Sequence, residues 1–289
     1  MTENSRRSDY RFFHRLRVRW VEVDMQKVVF NAHYLMYFDT AISGYWRALA
    51  LPYEEAMQAL GGDLFMRKAS VEFQASAHVD DVLDVAIQCV RVGNSSILFN
   101  ARLFRGEDLL VGGELVYVFA DTATQTSKPV PAPLREIFAA YEAGEAMSEV
   151  RTGSWAELGE GAGTLRRKVF IEEQRIPKEL EWDEHDASAV HAVARNRLGQ
   201  VIATGRLVPG APGQGRIGRM AVHRVLRGGG HGAAVLRALE EAARARGDRE
   251  VALHAQRSAE AFYAHLGYVP HGEPFEEAGI AHIEMRRML

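Results

Sequence analysis

The segment from Arg216 to Arg246 leaves this chain few ways to fold around it. It reads RIGRMAV, HRVLRGGGHG and AAVLRALEEAARAR in succession. Ile217 to Val222 is a short apolar run of strand type. Ala233 to Arg246 places Val235, Leu236 and Leu239 on one side and charge on the other, which is the period of a helix. Between them lie Arg227, Gly228, Gly229, Gly230, His231 and Gly232. A strand, a glycine-rich loop and a helix N-terminus make an anion site. Glycines admit a phosphate close to the backbone, and the first-turn amides point at it with the helix dipole behind them. A nucleotide pyrophosphate is the expected anion. A ligand-free glycine connection is the plainer alternative, but it does not explain Arg227 followed by four glycines in five positions.

Phosphate-binding loops differ in what surrounds the glycines. A P-loop ends in Gly-Lys-Ser/Thr, which is missing here. Gly228, Gly230 and Ala233 fit the Rossmann pattern GxGxxA, with Glu250 near the acidic position. In a Rossmann unit, however, the first glycine follows the strand directly, whereas His223 to Arg227 intervene in this chain. The loop instead resembles motif A of the GNAT acetyltransferase superfamily, Q/R-x-x-G-x-G/A, carried by Arg227, Gly230 and Gly232. Gln256, Ala259, Phe262 and Tyr263 are similar to the second superfamily pattern, N-x-x-A-x-x-F-Y, with Gln for Asn, and a Leu266-Gly267-Tyr268 turn follows. The resemblance implies acetyl-CoA bound by Arg227, Gly228, Gly230, Gly232, Ala233 and Phe262, with backbone groups of Met220, Ala221 and Val222 on the pantetheine arm. It also implies that the Val222 N–H holds the thioester carbonyl while a neutral amine attacks, and that Tyr263 protonates the leaving thiolate. The plain alternative for Tyr263 is aromatic packing beside Phe262.

The length, 289 residues, suggests two domains. An apolar content of 47% with 25% charged residues is that of a soluble globular protein, and a formal charge of −3 favours neither nucleic acid nor an anionic membrane as partner. The opening MTENSRRSDYRFFHR has no apolar core of a secretory signal, and no apolar run approaches a membrane span. A single cysteine, Cys89, excludes an internal disulfide framework. A cytoplasmic protein is expected. None of the histidines is spaced as a helical zinc pair, so no metal is expected.

In the first half, His14 to Val23 reads as a strand and Asn31 to Leu51 as one long helix. Its apolar residues, from Tyr34 and Leu35 through Trp46 and Leu49, cover most of the circumference, which predicts burial on most sides. Glu54 to Leu60 is a second helix, ended by Gly61-Gly62. Four strands follow, Leu64 to Ser76, Val82 to Val92, Ser96 to Arg105 and Leu109 to Ala120, joined by short turns and therefore antiparallel. A sheet wrapped round one helix is a hot-dog arrangement. The segment WVEVDMQKVVFNAHYLMYFD resembles the 4-hydroxybenzoyl-CoA thioesterase family, D-x-D-x-x-G-x-V-(Y/F)-x-x-x-Y, at Asp24, Val28, Phe30, Tyr34 and Tyr37-Phe38. The resemblance implies that Asp24 attacks the thioester carbonyl or activates a water, and that the backbone N–H at Asn31 polarises that carbonyl. It also implies a homo-oligomer, dimer or tetramer, through the hot-dog domain. Glu22 replaces the usual first Asp, Lys27 stands where many members have Gly, and Asn31 where many have His. Taken alone, Asp24 reads as a helix cap, the aromatic cluster as core, and Cys89 as a buried small hydrophobe.

Lys128-Pro-Val-Pro-Ala-Pro133 breaks the sheet, a helix follows from Leu134 to Ala143, and AGEAMSEVRTGS reads as the linker region. The expected domains are residues 1–143 and 144–289. In the second half, Gly163 to Gln174 suggests a helix and KELEWDEHD a solvated loop. The resemblance puts that loop beside the acceptor amine, which makes Glu181, Asp183 and His185 candidates for amine recognition or a general base. Strands are expected at Ala189 to Asn196, Gln200 to Val208, Val251 to His254 and Ala281 to Met288, with a helix at Ser258 to Leu266; His231 and His254 read as structural or solvent-facing. The fold class is α+β, a hot-dog domain followed by a GNAT α/β domain. The expected function is bifunctional: hydrolysis of acyl-CoA thioesters, and acetyl transfer from acetyl-CoA to an amine. The alternative makes the hot-dog half a non-catalytic dimerisation or acyl-CoA-sensing module.

Overall fold

The computed structural model describes residues 5–289; residues 1–4, the start of the stretch read as lacking a secretory signal, lie outside the described residues. The chain divides into two compact units, the first ending at Met147 and the second beginning at Ser148.

The first unit is a five-stranded antiparallel sheet with a long helix against it. In chain order it holds β1 (Phe12–Arg17), α1 (Asn31–Ala48), α2 (Tyr53–Leu60), β2 (Asp63–Phe73), β3 (Val82–Val92), β4 (Ser96–Arg105), β5 (Asp108–Ala120) and α3 (Ala132–Glu142). The strand order is β1-β3-β4-β5-β2, so β1 and β2 are the edges. Ile97, Phe99, Ala101 and Leu103 form a buried row on β4, as alternation requires. Tyr34, Tyr37, Phe38, Ala41, Ile42, Tyr45 and Trp46 form the buried seam of α1. A Cβ on Gly113 of β5 would come within 2.6 Å of Phe38, so the glycine is what lets the helix lie this close.

Two expectations for this unit are corrected. The first strand stops at Arg17, because Arg19 and Glu22 bond one another and wind Trp20–Glu22 into a 3-10 turn. The long helix is not buried on most sides. The sheet covers one side only, and Leu35 and Met36 remain 39% and 54% exposed. Phe65, Met66 and Phe73 of edge strand β2 are exposed as well.

The second unit holds β6 (Ser148–Gly153), α4 (Trp155–Arg166), α5 (Lys178–Glu181), β7 (Val190–Asn196), β8 (Val201–Pro209), β9 (Gln214–Val222), α6 (His231–Arg246), β10 (Glu250–Gln256), α7 (Glu260–His265), β11 (Val269–Glu277) and β12 (Ile280–Met288). Its seven strands are ordered β11-β12-β10-β9-β8-β7-β6, and only β9 and β10 pair in parallel. The residues read as linker contain β6, which pairs along β7 from Ser148 to Gly153. The segment is low in apolar residues because it is an edge strand, half of it facing water. Strand β11 was also missed. It is exposed along nearly its whole length and carries two prolines and a glycine, so no apolar period marks it.

The helix expected from Gly163 starts earlier, at Trp155, where the Glu157 carboxylate accepts from the Ser154 backbone N–H at 2.8 Å. It runs on into a π-helical stretch, Arg167–Glu173, in which Gln174 N–H reaches back five residues to Val169. The acidic run is not a solvated loop. Arg166, 1% exposed, binds Glu181 at 2.5 Å and Asp186 at 2.8 Å. Arg206 of β8 joins Asp183 and Asp186, and Arg219 of β9 joins Asp183. Trp155 and Trp182 stack on the Arg166 guanidinium. Alternating acid and base residues far apart in sequence close here into a buried network, and no local pattern shows that.

Candidate functional site

Each unit has its own candidate site. In the first, Val23 and Val29 bridge antiparallel, and the chain between them makes a tight turn. The Asp24 N–H donates to Val28 O at 2.9 Å, and Lys27 N–H donates to Asp24 O at 2.9 Å. The Asp24 carboxylate accepts from the Gln26 N–H at 2.8 Å. Lys27 closes the turn at φ +63°, in the left-handed region, with its side chain exposed. That backbone is why glycine suits the position. Asn31 begins α1, so its N–H is one of the first-turn amides with no partner inside the helix. Tyr34, one turn on, accepts from Ala77 N–H at 3.2 Å, and burial first, then the Asp81 and Asp24 charges, push its hydroxyl above the usual phenol range.

The residue that fixes this turn was not singled out as part of the site. Glu22 is 3% exposed. It accepts from the Arg19 N–H and guanidinium and from the Tyr37 hydroxyl at 2.8 Å. Burial alone would raise its pKa, but the Arg19 bonds outweigh burial and hold it low. Glu22 is thus a buried anion that ties the turn to α1. Cys89 is buried beside Glu142, with its thiol pushed up to about 12 by burial first and then by that carboxylate. It is not a thiolate.

In the second unit the decisive feature is an opening in the sheet. Strands β9 and β10 pair only from Glu250↔Gln214 to Leu253↔Ile217. Beyond Ile217, β9 bulges: Arg219 adopts φ +52°, and its pairing with β8 slips between Thr204 and Arg206. Gly218 to Val222 therefore has no strand partner on the β10 side. His223 N–H donates to Ile202 O on β8, and backbone groups alternate along a strand, so Val222 N–H points away from β8 into the opening. Met220 turns its sulfur toward Gly205, where a side chain would collide with it. Ala221 packs on the other face with Leu165, Val169 and Phe170.

The loop after β9 matches its chemistry to its backbone. Gly228 and Gly230 both hold φ +83°, a conformation costly for any residue with a Cβ. A Cβ on Gly232 would lie 3.1 Å from Val222 and 3.5 Å from Phe262, so strand, helix start and α7 meet there. Ala233 is buried in the first turn of α6. The Arg227 guanidinium faces protein: it donates to Val222 O at 3.2 Å and grips both oxygens of Glu173 at 2.6 and 2.7 Å. Glu173, on the π turn, is a partner that sequence reasoning missed. Tyr263 is 7% exposed, packed against Phe262 and Tyr268, and burial pushes its hydroxyl up to about 12. It stays a phenol at neutral pH, the form that carries a proton.

Two family models match the chain, one in each unit. Residues 156–289 match the model of the acetyltransferase (GNAT) domain, and residues 18–138 match that of the thioesterase-like superfamily. The first unit is a thioesterase-like hot-dog domain and the second a GNAT acetyltransferase domain. The GNAT domain is 34% identical over 124 residues to the uncharacterized N-acetyltransferase YjcF of Bacillus subtilis, which spans 43% of this chain and 87% of that protein. An acyl-CoA N-acyltransferase structure from Pseudomonas aeruginosa is 34% identical, with TM-score 0.44, covering 48% of this chain and 99% of that one. A 1,4-dihydroxy-2-naphthoyl-CoA thioesterase from Synechocystis aligns at 18% identity and TM-score 0.41, over 44% of this chain and 95% of its own.

Of the acidic candidates for the acceptor site in the GNAT domain, Asp183 is held at about 2 by its Arg206 hydrogen bonds, against burial, which makes it a poor base. Glu181 is locked between Arg166 and Arg219 at 2.5 and 3.3 Å. His185 is exposed and bonds to Asp183 only through its backbone. These residues hold the segment in place. Among the described residues no group of three or more His, Cys, Asp or Glu could hold a metal, and no helix is long and apolar enough to cross a membrane.

Proposed function

We propose that this chain is a bifunctional enzyme of CoA thioesters, whose hot-dog domain hydrolyses acyl-CoA and whose GNAT domain transfers acetyl from acetyl-CoA to an amine. The observation that carries the second activity is the opening between β9 and β10, with the Val222 N–H directed into it and the Gly228–Gly232 loop at its end. In that reading the first-turn amides of α6 hold the pyrophosphate and the Val222 N–H stabilises the tetrahedral oxyanion. The amine nitrogen forms the new bond to carbon, the C–S bond breaks, and Tyr263 gives the sulfur its proton.

The first activity rests on Asp24 at the turn before α1, with the Asn31 N–H as the polarising donor. Asp24 activates a water, or itself attacks the thioester to give a mixed anhydride that water then cleaves; either way the C–S bond breaks, CoA leaves as the thiol and the acyl group leaves as a carboxylate. Exposed Leu35, Met36, Phe65, Met66 and Phe73 support a homo-oligomer built through this domain, dimer or tetramer. The proposal places the protein in the cytoplasm. A second reading, a hot-dog half that binds acyl-CoA without cleaving it, is favoured by one feature: the Asp24 carboxylate is engaged by Gln26 N–H. Thiol release from a panel of acyl-CoAs with no amine present separates the two. Release by the wild type supports the hydrolase; none, with the protein folded, leaves a scaffold or sensor.

A further inference from the structure

The acetyltransferase reading leaves the base that deprotonates the amine unassigned, and the acidic run that borders the site is occupied by arginines. On the same face of the sheet lies another cluster. Gly218 pairs with Arg206, whose guanidinium binds Asp183 and Asp186, so this is the face that the α5 segment covers. Arg216, two residues back on β9, shares that face, and its partner on β10 is Ala252. His254 follows two residues on, paired with Glu284 of β12. It is the first β10 residue beyond the last β9 pair, Leu253↔Ile217, and so stands at the mouth of the opening.

The imidazole is held from several sides. Its Nδ1 lies 3.0 Å from Glu277 Oε2 of β11, and its Nε2 lies 3.9 Å from Glu284. Phe275 packs edge-on at 4.7 Å between ring centres and itself stacks on His282. A nitrogen of the exposed Arg216 guanidinium sits 2.9 Å from the ring nitrogens. A cation of the protein itself thus rests where an ammonium would need to be. Beside it the sheet has room: a Cβ on Gly218 would meet nothing within 4 Å. Gln256, next on this face, donates to Gln174 at 3.0 Å and closes the far side.

We propose that the acceptor is a cationic primary amine seated in the space over Gly218, and that His254 is the base that takes its proton, with Glu277 as the positioning residue that holds Nδ1. The ammonium displaces Arg216, gives one proton to His254 and becomes a nucleophile. Its nitrogen bonds the acetyl carbon, the C–S bond breaks, and sulfur takes the Tyr263 proton. The second N–H proton and the one on His254 pass to water, and Tyr263 is reprotonated from water. The net products are the acetamide, free CoA and one proton. This rests on the acetyltransferase reading of the domain.

The test uses the full chain, acetyl-CoA, and three probes: n-butylamine, cadaverine and hydroxylamine. The alkylamines are cations at neutral pH, whereas hydroxylamine is uncharged and needs no base to free its lone pair. H254Q is expected to lose roughly 10²- to 10⁴-fold in kcat with the alkylamines, and to recover as pH rises. With hydroxylamine its loss should stay under about tenfold, with the acetyl-CoA Kd unchanged. The titratable and charged groups facing His254 are Arg216, Glu277, His282, Glu284 and Arg286, so E277Q is run in parallel and should shift the pH profile rather than abolish it. G218L fills the space and should raise the alkylamine KM by roughly tenfold or more, about the 1.4 kcal/mol that tenfold represents. H254Q with wild-type rate and pH profile overturns the base assignment; G218L with unchanged KM overturns the location. A wild type that binds acetyl-CoA but transfers to none of the probes overturns the acetyltransferase reading and this proposal with it.

Discussion

Two turns in this chain lead into helices at the expected thioester sites, and they meet a similar backbone demand with different residues. Before α6, Gly228 and Gly230 take φ +83° without penalty. Before α1, Lys27 takes φ +63° with a full side chain. In the proposed reading, the chemistry at the glycine turn belongs to the backbone: amides offered to a phosphate, with no side chain in the way. At the lysine turn the same reading assigns it to a side chain, Asp24, and the left-handed backbone lies three residues away at Lys27. A site made of backbone needs glycine and little else. A site made of a carboxylate depends on what holds the turn that carries it, here Glu22 with its partners Arg19 and Tyr37.

That contrast predicts where each turn is fragile. Removing the side chain at the first should be the most damaging change. Asp24→Ala is expected to lower acyl-CoA hydrolysis by about 10²- to 10⁴-fold, read as thiol release, with acetyl-CoA binding to the second domain unaltered. Hydrolysis surviving in Asp24→Ala would show that the first turn, too, works through its backbone. Next in size is the network that fixes the α5 segment beside the second site. Arg166→Met takes from Glu181 and Asp186 the buried partner they share, leaving them only Arg219 and Arg206, and should cost about 3 kcal/mol, read from urea unfolding of the second domain. Gly230→Val forces a β-branched residue into the left-handed region at a cost of about 1–2 kcal/mol, and should weaken acetyl-CoA binding about tenfold by calorimetry. An unchanged Kd would mean that the loop amides do not touch the ligand.

The same network should make the second domain sensitive to acid. Hydrogen bonds from Arg206 hold Asp183 down at about 2, below the usual value of about 3.9 for an aspartate in an unfolded chain. A carboxyl with a depressed folded-state pKa stabilises the fold above the unfolded value and loses that contribution as pH falls through the folded one. The urea midpoint of the second domain should therefore fall between about pH 4 and 2. In Asp183→Asn this part of the fall should be missing, and an identical acid profile for the two proteins would show that Asp183 does not contribute it.

How far the sequence revealed all this follows the same division. The strands of the hot-dog sheet were legible because Ile97, Phe99, Ala101 and Leu103 alternate, and the α6 loop because its glycines stand where only glycine is at ease. Both are local signals. Strand β6 was hidden because an edge strand can be polar, and β11 because prolines and exposure erase its period. The Arg166 network and the Arg227–Glu173 pair were hidden for a different reason. Charges that neutralise each other across 20 and 54 positions have no period to read, and singly each looks like solvated surface.

The smallest expected effect bears most directly on the comparison. Lys27 is exposed, so replacing it removes little packing, and Lys27→Gly isolates the backbone. Relief of the left-handed strain favours the glycine by about 1–2 kcal/mol, and the greater freedom of glycine in the unfolded chain takes back about 0.4–1 kcal/mol. A net gain of about 0.5–1 kcal/mol in the first domain is the expected result, measured by urea unfolding of Lys27→Gly against wild type. If that gain appears and hydrolysis is unchanged, the lysine turn is a strained version of the glycine turn and its side chain plays no part in the chemistry. If stability rises but hydrolysis falls, the ammonium acts on Asp24 or on the substrate, and the first site is built from two side chains rather than one. If stability does not rise, the turn holds Lys27 without strain, and the likeness between the two turns is one of shape alone.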